Sequence, residues 1–456
     1  MNGRNSGDML TGHGSRAAFL GVFLLLASGC AAAGAYSATS AGPPKPIREA
    51  LPNGVVLIVQ EHRASDVVAV QLWMRMGGRD EAPDELGLAH YIEHMIFKGT
   101  PTRPPGSIDR MIEGFGGTSN AFTSYDTTHY DFVVPAPHLR ATVELLADLA
   151  VNASFSPDEL ESEKKVVFEE MSLVEDDPDK FLLRRLYEVA YLPDPYGRPI
   201  LGTHEFIERL RRDRLLAFYR KYFVPKNMVV VVVGAVKPAE VRSAVAAAFG
   251  RISPRPGGRP ELPPPPAIDG SRRVDVSRPE KQAYLGLAWK TAPTGNEDIY
   301  PVDLLTYILG DSPSSRLNQT VREGLRLVSS IEAGYGAWQR AGLVTVNARL
   351  DVENVQKAEA AVLDVIRKVR ETAVTEAERQ RAIITAESSY AFDIETAEGL
   401  AKSYGQAETT WTLDDEIAYL GRLRQITAAQ IQAVARKYFG DDNYARVRFL
   451  PEGTPR

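Results

Sequence analysis

The tetrapeptide Arg220-Lys221-Tyr222-Phe223 occurs a second time, 216 residues later, as Arg436-Lys437-Tyr438-Phe439. At the same offset Asn227 falls on Asn443, Trp73 on Trp289, and Leu88, Tyr91 and Ile92 on Leu304, Tyr307 and Ile308. Self-similarity at one fixed offset is the mark of a duplicated unit. Within the first copy, residues 55–61, 67–75, 128–135 and 227–236 carry the β-branched enrichment of strands, and Pro52-Asn53-Gly54 signals a turn before the first of them. Helical periodicity runs over 86–98, 107–114, 138–151 and 157–175. The expected fold class is α+β: two homologous domains, each a mostly antiparallel sheet packed with helices. The apolar run 227–236, Trp73 and Trp289 read as core.

Between the copies, residues 254–266 (PRPGGRPELPPPP) hold seven prolines and no periodic pattern. Polyproline geometry makes such a segment a semi-rigid spacer. The expected division is an N-terminal domain over 46–253, a linker over 254–268 and a C-terminal domain over 269–456. At 456 residues the chain is too long for one compact core. A net charge of −6 with no dominant basic stretch speaks against nucleic-acid binding, and a single cysteine excludes an intrachain disulfide framework.

That cysteine closes an apolar stretch. Residues 17–29 (AAFLGVFLLLASG) follow Arg4 and Arg16, have signal-peptide length and are short for a bilayer span. Leu26-Ala27-Ser28-Gly29-Cys30 resembles a bacterial lipobox, with alanine where leucine is more usual. The expectation is a leader over 1–30, lipidation of Cys30, a flexible tether over 31–45, and a periplasmic lipoprotein. Ala31 after the cysteine favours the outer membrane. Ordinary signal cleavage, an uncleaved anchor and a start at Met9 are the alternatives.

The two copies differ where chemistry is concentrated. His90, Glu93 and His94 map to Thr306, Leu309 and Gly310, and no histidine follows His204. On a helix, His90 and His94 lie one turn apart on one face, as two imidazoles sharing one Zn²⁺ must. Glu93 borders that face and suits a base that takes a proton from water and later gives it to a leaving amine. The spacing is the H-x-x-E-H signature of inverzincins. A third protein ligand is required, and Glu169 and Glu170 are adjacent candidates. Glu163 and Glu170 are seven apart and share a face, whereas Glu169 lies about 100° away.

Four further stretches accompany the core: Met95-Ile96-Phe97-Lys98-Gly99-Thr100, the run 116–124 (GGTSNAFTS), the acidic segment 163–170 (EKKVVFEE), and Pro195-Tyr196-Gly197 leading to Gly202. With these the chain resembles the pitrilysin/insulinase family of zinc metallopeptidases over nearly all of residues 48–450. Within it, the likeness is to half-length, two-domain members such as bacterial homologues of the mitochondrial processing peptidase β subunit. The resemblance implies one zinc per chain, held by His90, His94 and Glu170, with 75 residues between His94 and Glu170 as in the family. It implies Glu93 as catalytic base and Glu163 as a supporting carboxylate of the catalytic site; Glu169 remains the substitute ligand. It places substrate along an edge strand at Asn120 and Ala121, and matches Arg322 to a substrate-holding arginine of the second domain. The tyrosine expected seven residues after that arginine is Ser329, which implies a zinc-free paralogue as partner in a heterodimer, or otherwise a homodimer.

The implied function is a zinc endopeptidase of the bacterial cell envelope, acting on peptides or unfolded segments. The alternative is a non-catalytic structural or peptide-binding subunit. Of the other histidines, His129 reads as packed within a strand, and His62, His138 and His204 as loop or surface positions. The run Glu175, Asp176, Asp177 and Asp179 reads as a solvated helix end.

Overall fold

The computed structural model of the chain describes residues 45–454. The leader expected over 1–30, the lipidation of Cys30 and the tether over 31–45, except its last residue, lie outside the described residues.

Six strands form the first sheet: β1 (Ile47–Ala50), β2 (Val56–Glu61), β3 (Val67–Met74), β4 (Thr118–Thr123), β5 (Thr128–Pro135) and β6 (Met228–Gly234), in the order β1-β2-β6-β3-β5-β4. Only the β2–β6 pair is parallel. The second sheet has β7 (Arg272–Arg278), β8 (Ala283–Thr291), β9 (Ser330–Ala337), β10 (Gly342–Leu350) and β11 (Ala445–Pro451), in the order β7-β11-β8-β10-β9, again with one parallel pair, β7–β11. The second order repeats the first without β1, so the duplication seen in the sequence is a duplication of topology. The fold is mixed α and β in two sheets, as the strand and helix patterns require.

β6 reads Met-Val-Val-Val-Val-Val-Gly and every residue is buried. A continuous apolar run rather than an alternating one means that both faces of the strand are covered. One face meets helices of its own half, Leu139–Asn152 and Pro238–Ala248 among them. The other face is covered by helix Ala397–Thr410 of the second half, through Ala397, Leu400, Ala401 and Tyr404. Its approach is close: a Cβ on Gly405 would lie 2.0 Å from Trp73 Nε1, so only glycine fits under that indole. The exchange is reciprocal. Helix Pro178–Tyr191 of the first half lays Leu182, Leu186 and Tyr187 against the second sheet beside Val447 and Phe449.

Residues 254–266 are free of helix and strand and are pinned to both halves. Arg259 pairs with Asp80 at 2.9 Å and donates to Gln339 Oε1 at 2.9 Å. Asp126, fully buried, binds Arg79 Nη1 at 2.9 Å and the Tyr196 hydroxyl at 2.9 Å, and accepts the Gln339 backbone N–H at 2.7 Å. Arg340 completes the knot through Asp194 at 2.6 Å. The proline-rich segment itself runs largely exposed, and Arg259 reaches from it into a buried ionic junction between the two halves.

Candidate metal centre

Helix Leu88–Ile96 turns Leu88, Ile92, Met95 and Ile96 into the first core and leaves His90, Glu93 and His94 on its other side. Gly87 at its N-terminus offers no capping side chain. Glu81 supplies the cap from upstream, its two carboxylate oxygens accepting the N–H groups of Gly87 and Ala89 at 2.8 Å each. Sequence inspection missed this role, because the capping residue sits seven positions before the helix instead of at its boundary. Helix Pro157–Asp176 starts conventionally, with Ser156 accepting the Glu159 N–H and proline in the first turn. It crosses the first helix and brings Glu163 and Glu170 down its inner face.

Three atoms converge. His90 Nε2, His94 Nε2 and Glu170 Oε2 stand 3.3 Å from one another along all three edges. Tetrahedral zinc with bonds of about 2.0–2.1 Å requires ligand atoms about 3.3–3.4 Å apart, so the triangle has the size of one face of that tetrahedron. Two imidazoles and a carboxylate also form the donor set zinc takes, with the fourth corner left open. Among the described residues this is the only cluster of three or more His, Cys, Asp or Glu side chains with ligand atoms so close. Glu169, by contrast, is exposed on the far side of its helix. The counterpart in the second copy is shut as well as stripped of ligands. Ala121 lies across from Tyr130, and Ala333 across from Val346 at the matching position. There, glycine stands where His94 would be, and a Cβ on Gly310 would lie 2.2 Å from Ala333 N. The second edge strand thus fills the space that the His90, His94 and Glu170 side chains take in the first.

A second ring of contacts fixes the first. His94 Nδ1–H donates to Glu163 Oε1 at 2.9 Å, and Glu163 Oε2 is held by Lys98 Nζ at 2.6 Å. This orientation turns His94 Nε2 toward the triangle. Glu163 therefore acts on His94 and does not itself enter the triangle. The role of Lys98 emerges only in the fold, although its position one turn after His94 is a signal in the sequence. Burial opposes charge on His94, but the hydrogen bonds with Glu163 and Glu170 and the charge of Glu93 outweigh it and push the imidazole up to about 10. Burial raises the Glu170 carboxyl, yet the two histidines hold it well below the usual carboxylate range. Glu93 is nearly buried, and among the described residues its Oε2 has no hydrogen-bond partner; the same is true of His90 Nδ1 and the Tyr130 hydroxyl. Burial and the charge of Glu93 both raise the Tyr130 phenol.

Asn120 and Ala121 lie on β4, at the open edge of the first sheet beside the His90 helix. Asn120 is exposed, and its Oδ1 accepts the Ala121 N–H at 2.9 Å. Arg322 is exposed in the π-helical stretch Asn318–Gly324, with Glu323 as its ionic partner at 3.7 Å; no ion pair joins it to the triangle. Ser329 turns its hydroxyl to the Arg349 carbonyl at 3.1 Å. His129 is buried, stacked on Trp73 at 4.1 Å with Asp131 3.4 Å away, while His204 is exposed and stacks on Phe168. The acidic run is more than a solvated end. Asp177 caps helix Pro178–Tyr191 by accepting two backbone N–H groups, and Asp179 binds Arg349 of the second half.

The profile described as Insulinase (Peptidase family M16) matches residues 56–204, and that described as Peptidase M16 inactive domain matches residues 209–385. An uncharacterized zinc protease of Mycobacterium bovis is 30% identical over 415 residues, covering 90% of this chain and 94% of that protein. An uncharacterized zinc protease of Bacillus subtilis, YmxG, is 28% identical over 405 residues, covering 88% and 97%. In fold, a protease from Helicobacter pylori superposes with a TM-score of 0.85 at 24% identity, over 90% of this chain and 100% of that one. The periplasmic protease PqqL of Escherichia coli gives 0.73 at 19% identity, over 89% of this chain and 47% of that one.

Proposed function

We propose that this chain, which belongs to the insulinase family of peptidases (family M16), is a zinc-dependent endopeptidase with His90, His94 and Glu170 as metal ligands and Glu93 as base. The observation that carries the proposal is the 3.3 Å donor triangle beside a carboxylate with an unpartnered oxygen. Zinc, when bound, supplies a Lewis acid that polarises a peptide carbonyl and makes water more acidic. Glu93 takes the proton from the attacking water and passes it to the leaving nitrogen. Edge strand β4 holds the substrate as an added strand, main chain to main chain, so peptides and unfolded segments bind with little sequence demand. Ala121 N–H then exchanges the Asn120 side chain for a substrate carbonyl. The experiment is zinc content and peptide cleavage by the purified protein, with and without a chelator. Stoichiometric zinc and chelator-sensitive cleavage are expected; a protein that takes up no zinc refutes the proposal.

Glu163 serves by positioning His94. Glu163→Gln is expected to weaken zinc binding about 10–100-fold, read by competition with a chromophoric chelator. Unchanged affinity would reduce Glu163 to a packing role. Zinc must also displace a proton, because His94 is protonated in the metal-free protein and has to be neutral to ligate. The raised pKa sets the sign: zinc affinity rises with pH through the neutral range and levels off near 10. Calorimetry in two buffers of different ionisation enthalpy should report about one proton released per zinc at pH 7.5. No release would show that His94 is already neutral.

With Ser329 in the tyrosine's place, we further propose that a second subunit, a zinc-free paralogue or otherwise a second copy, completes the substrate site around Arg322. A fully active monomer in sedimentation and assay would refute this. The leader supports export and lipid anchoring at Cys30, which metabolic labelling with palmitate, lost in Cys30→Ala, would test.

A further inference from the structure

A cavity of about 450 Å³ lies beside the C-terminal end of the Glu170 helix. Leu86, just before the His90 helix, forms one wall, and Met171 and Val174 form another. Met171 follows Glu170 directly and Val174 lies one turn beyond it, so this wall belongs to the helix that carries the Glu170 donor. Its polar side is less ordinary. Arg184 enters from helix Pro178–Tyr191, with its guanidinium carbon 4.7 Å from the centre of the Phe181 ring. Arg184 Nε is buried and has no hydrogen-bond partner among the described residues. The nearest carboxylate, Glu175, stands 3.6 Å away and is itself 46% exposed, a loose pair at the rim. Glu188, the other acidic wall residue, is engaged by Arg185. Arg198 adds a second positive charge, anchored through the Glu81 carbonyl at 2.8 Å.

A planar guanidinium held against a ring, with one donor unfilled, in a cavity walled by apolar side chains and a second arginine as well as by two glutamates engaged at its rim, is arranged to receive a carboxylate. We propose that this cavity is a substrate subsite that takes an acidic side chain of the peptide, with Arg184 as the residue that recognises its carboxylate. The inference rests on the peptidase reading and narrows its substrates to peptides carrying Asp or Glu a short distance from the scissile bond. Leu86, Met171 and Val174 cover the aliphatic stem of that side chain, and Glu175 swings into solvent as the incoming carboxylate replaces it.

The test uses the zinc-loaded protein and quenched-fluorescence peptides in pairs, identical except for Glu or Gln at one position scanned along the sequence. At one position the Glu peptide should be favoured about tenfold in kcat/KM, mainly through KM, as a charge-assisted hydrogen bond to a half-buried arginine implies. In Arg184→Gln that ratio should fall to near one, in Arg184→Glu it should reverse in favour of a Lys peptide, and Arg184→Lys should retain part of it. Arg367→Gln, on an exposed surface, should leave it as in the unaltered protein. Binding of the same pairs is followed in parallel by fluorescence polarisation. Failure to take up zinc would sink the peptidase reading, and zinc without cleavage would point to the missing second subunit, while the binding ratio would still judge the subsite in either case. No Glu preference at any position, or a preference that survives Arg184→Gln, overturns the proposal.

Discussion

Glu93→Gln is expected to keep one zinc per chain and to lose peptide hydrolysis by about 10²–10⁴-fold, the usual worth of a general base. The substitution preserves shape and removes the ability to accept a proton. Glu93 is not one of the three converging donors, so the metal should remain. Its Oε2 is buried and unpartnered, so no hydrogen bond holds that oxygen away from an incoming water. Metal analysis and a fluorogenic peptide assay on one preparation separate the two effects. Glu170→Gln should behave differently, losing zinc and activity together. Hydrolysis retained in Glu93→Gln would assign the proton transfer to another group and leave the triangle as a metal site only.

The second large effect is expected far from the metal. Asp126→Ala should lower the stability of the protein by about 3–5 kcal/mol, the cost of breaking a buried pair from one side. Arg79, 5% exposed, would be left with Asp80 3.8 Å away as its remaining acidic partner, and the Gln339 N–H and Tyr196 hydroxyl would each lose an acceptor. The loss falls on the junction between the halves, so the proline-rich segment 254–266 should become protease-sensitive before either sheet unfolds. Urea denaturation with limited proteolysis reads both. A change below about 1 kcal/mol would mean that the exchanged helices hold the halves together by apolar contact alone.

Much of this was legible because it depends on local periodicity. β-branched runs such as 227–236 and helical repeats such as 157–175 dictate their own elements, and a constant offset of 216 residues dictates a repeated topology. The strand β1, four residues long, escaped notice because so short a segment has no period to detect. Lys98 and Glu81 escaped for another reason: each acts through a contact made only after chain segments have met. Composition sets the stiffness of the proline-rich segment, whereas its place is set by where Arg259 finds Asp80.

By itself, the sequence determined that His90 and His94 face the same way, since four residues are nearly one helical turn, and that the second copy carries no such pair. It narrowed the third donor to two neighbouring glutamates. Only the tertiary structure brought Glu170 within 3.3 Å of both imidazoles and turned Glu169 to solvent, because the crossing of two helices fixes which face of the second is inward. Only the tertiary structure, too, closed the second cleft by seating Ala333 against Gly310, and roofed each sheet with a helix from the other half. A period in the sequence specifies which side of an element is apolar. What that side meets depends on where the rest of the chain has folded.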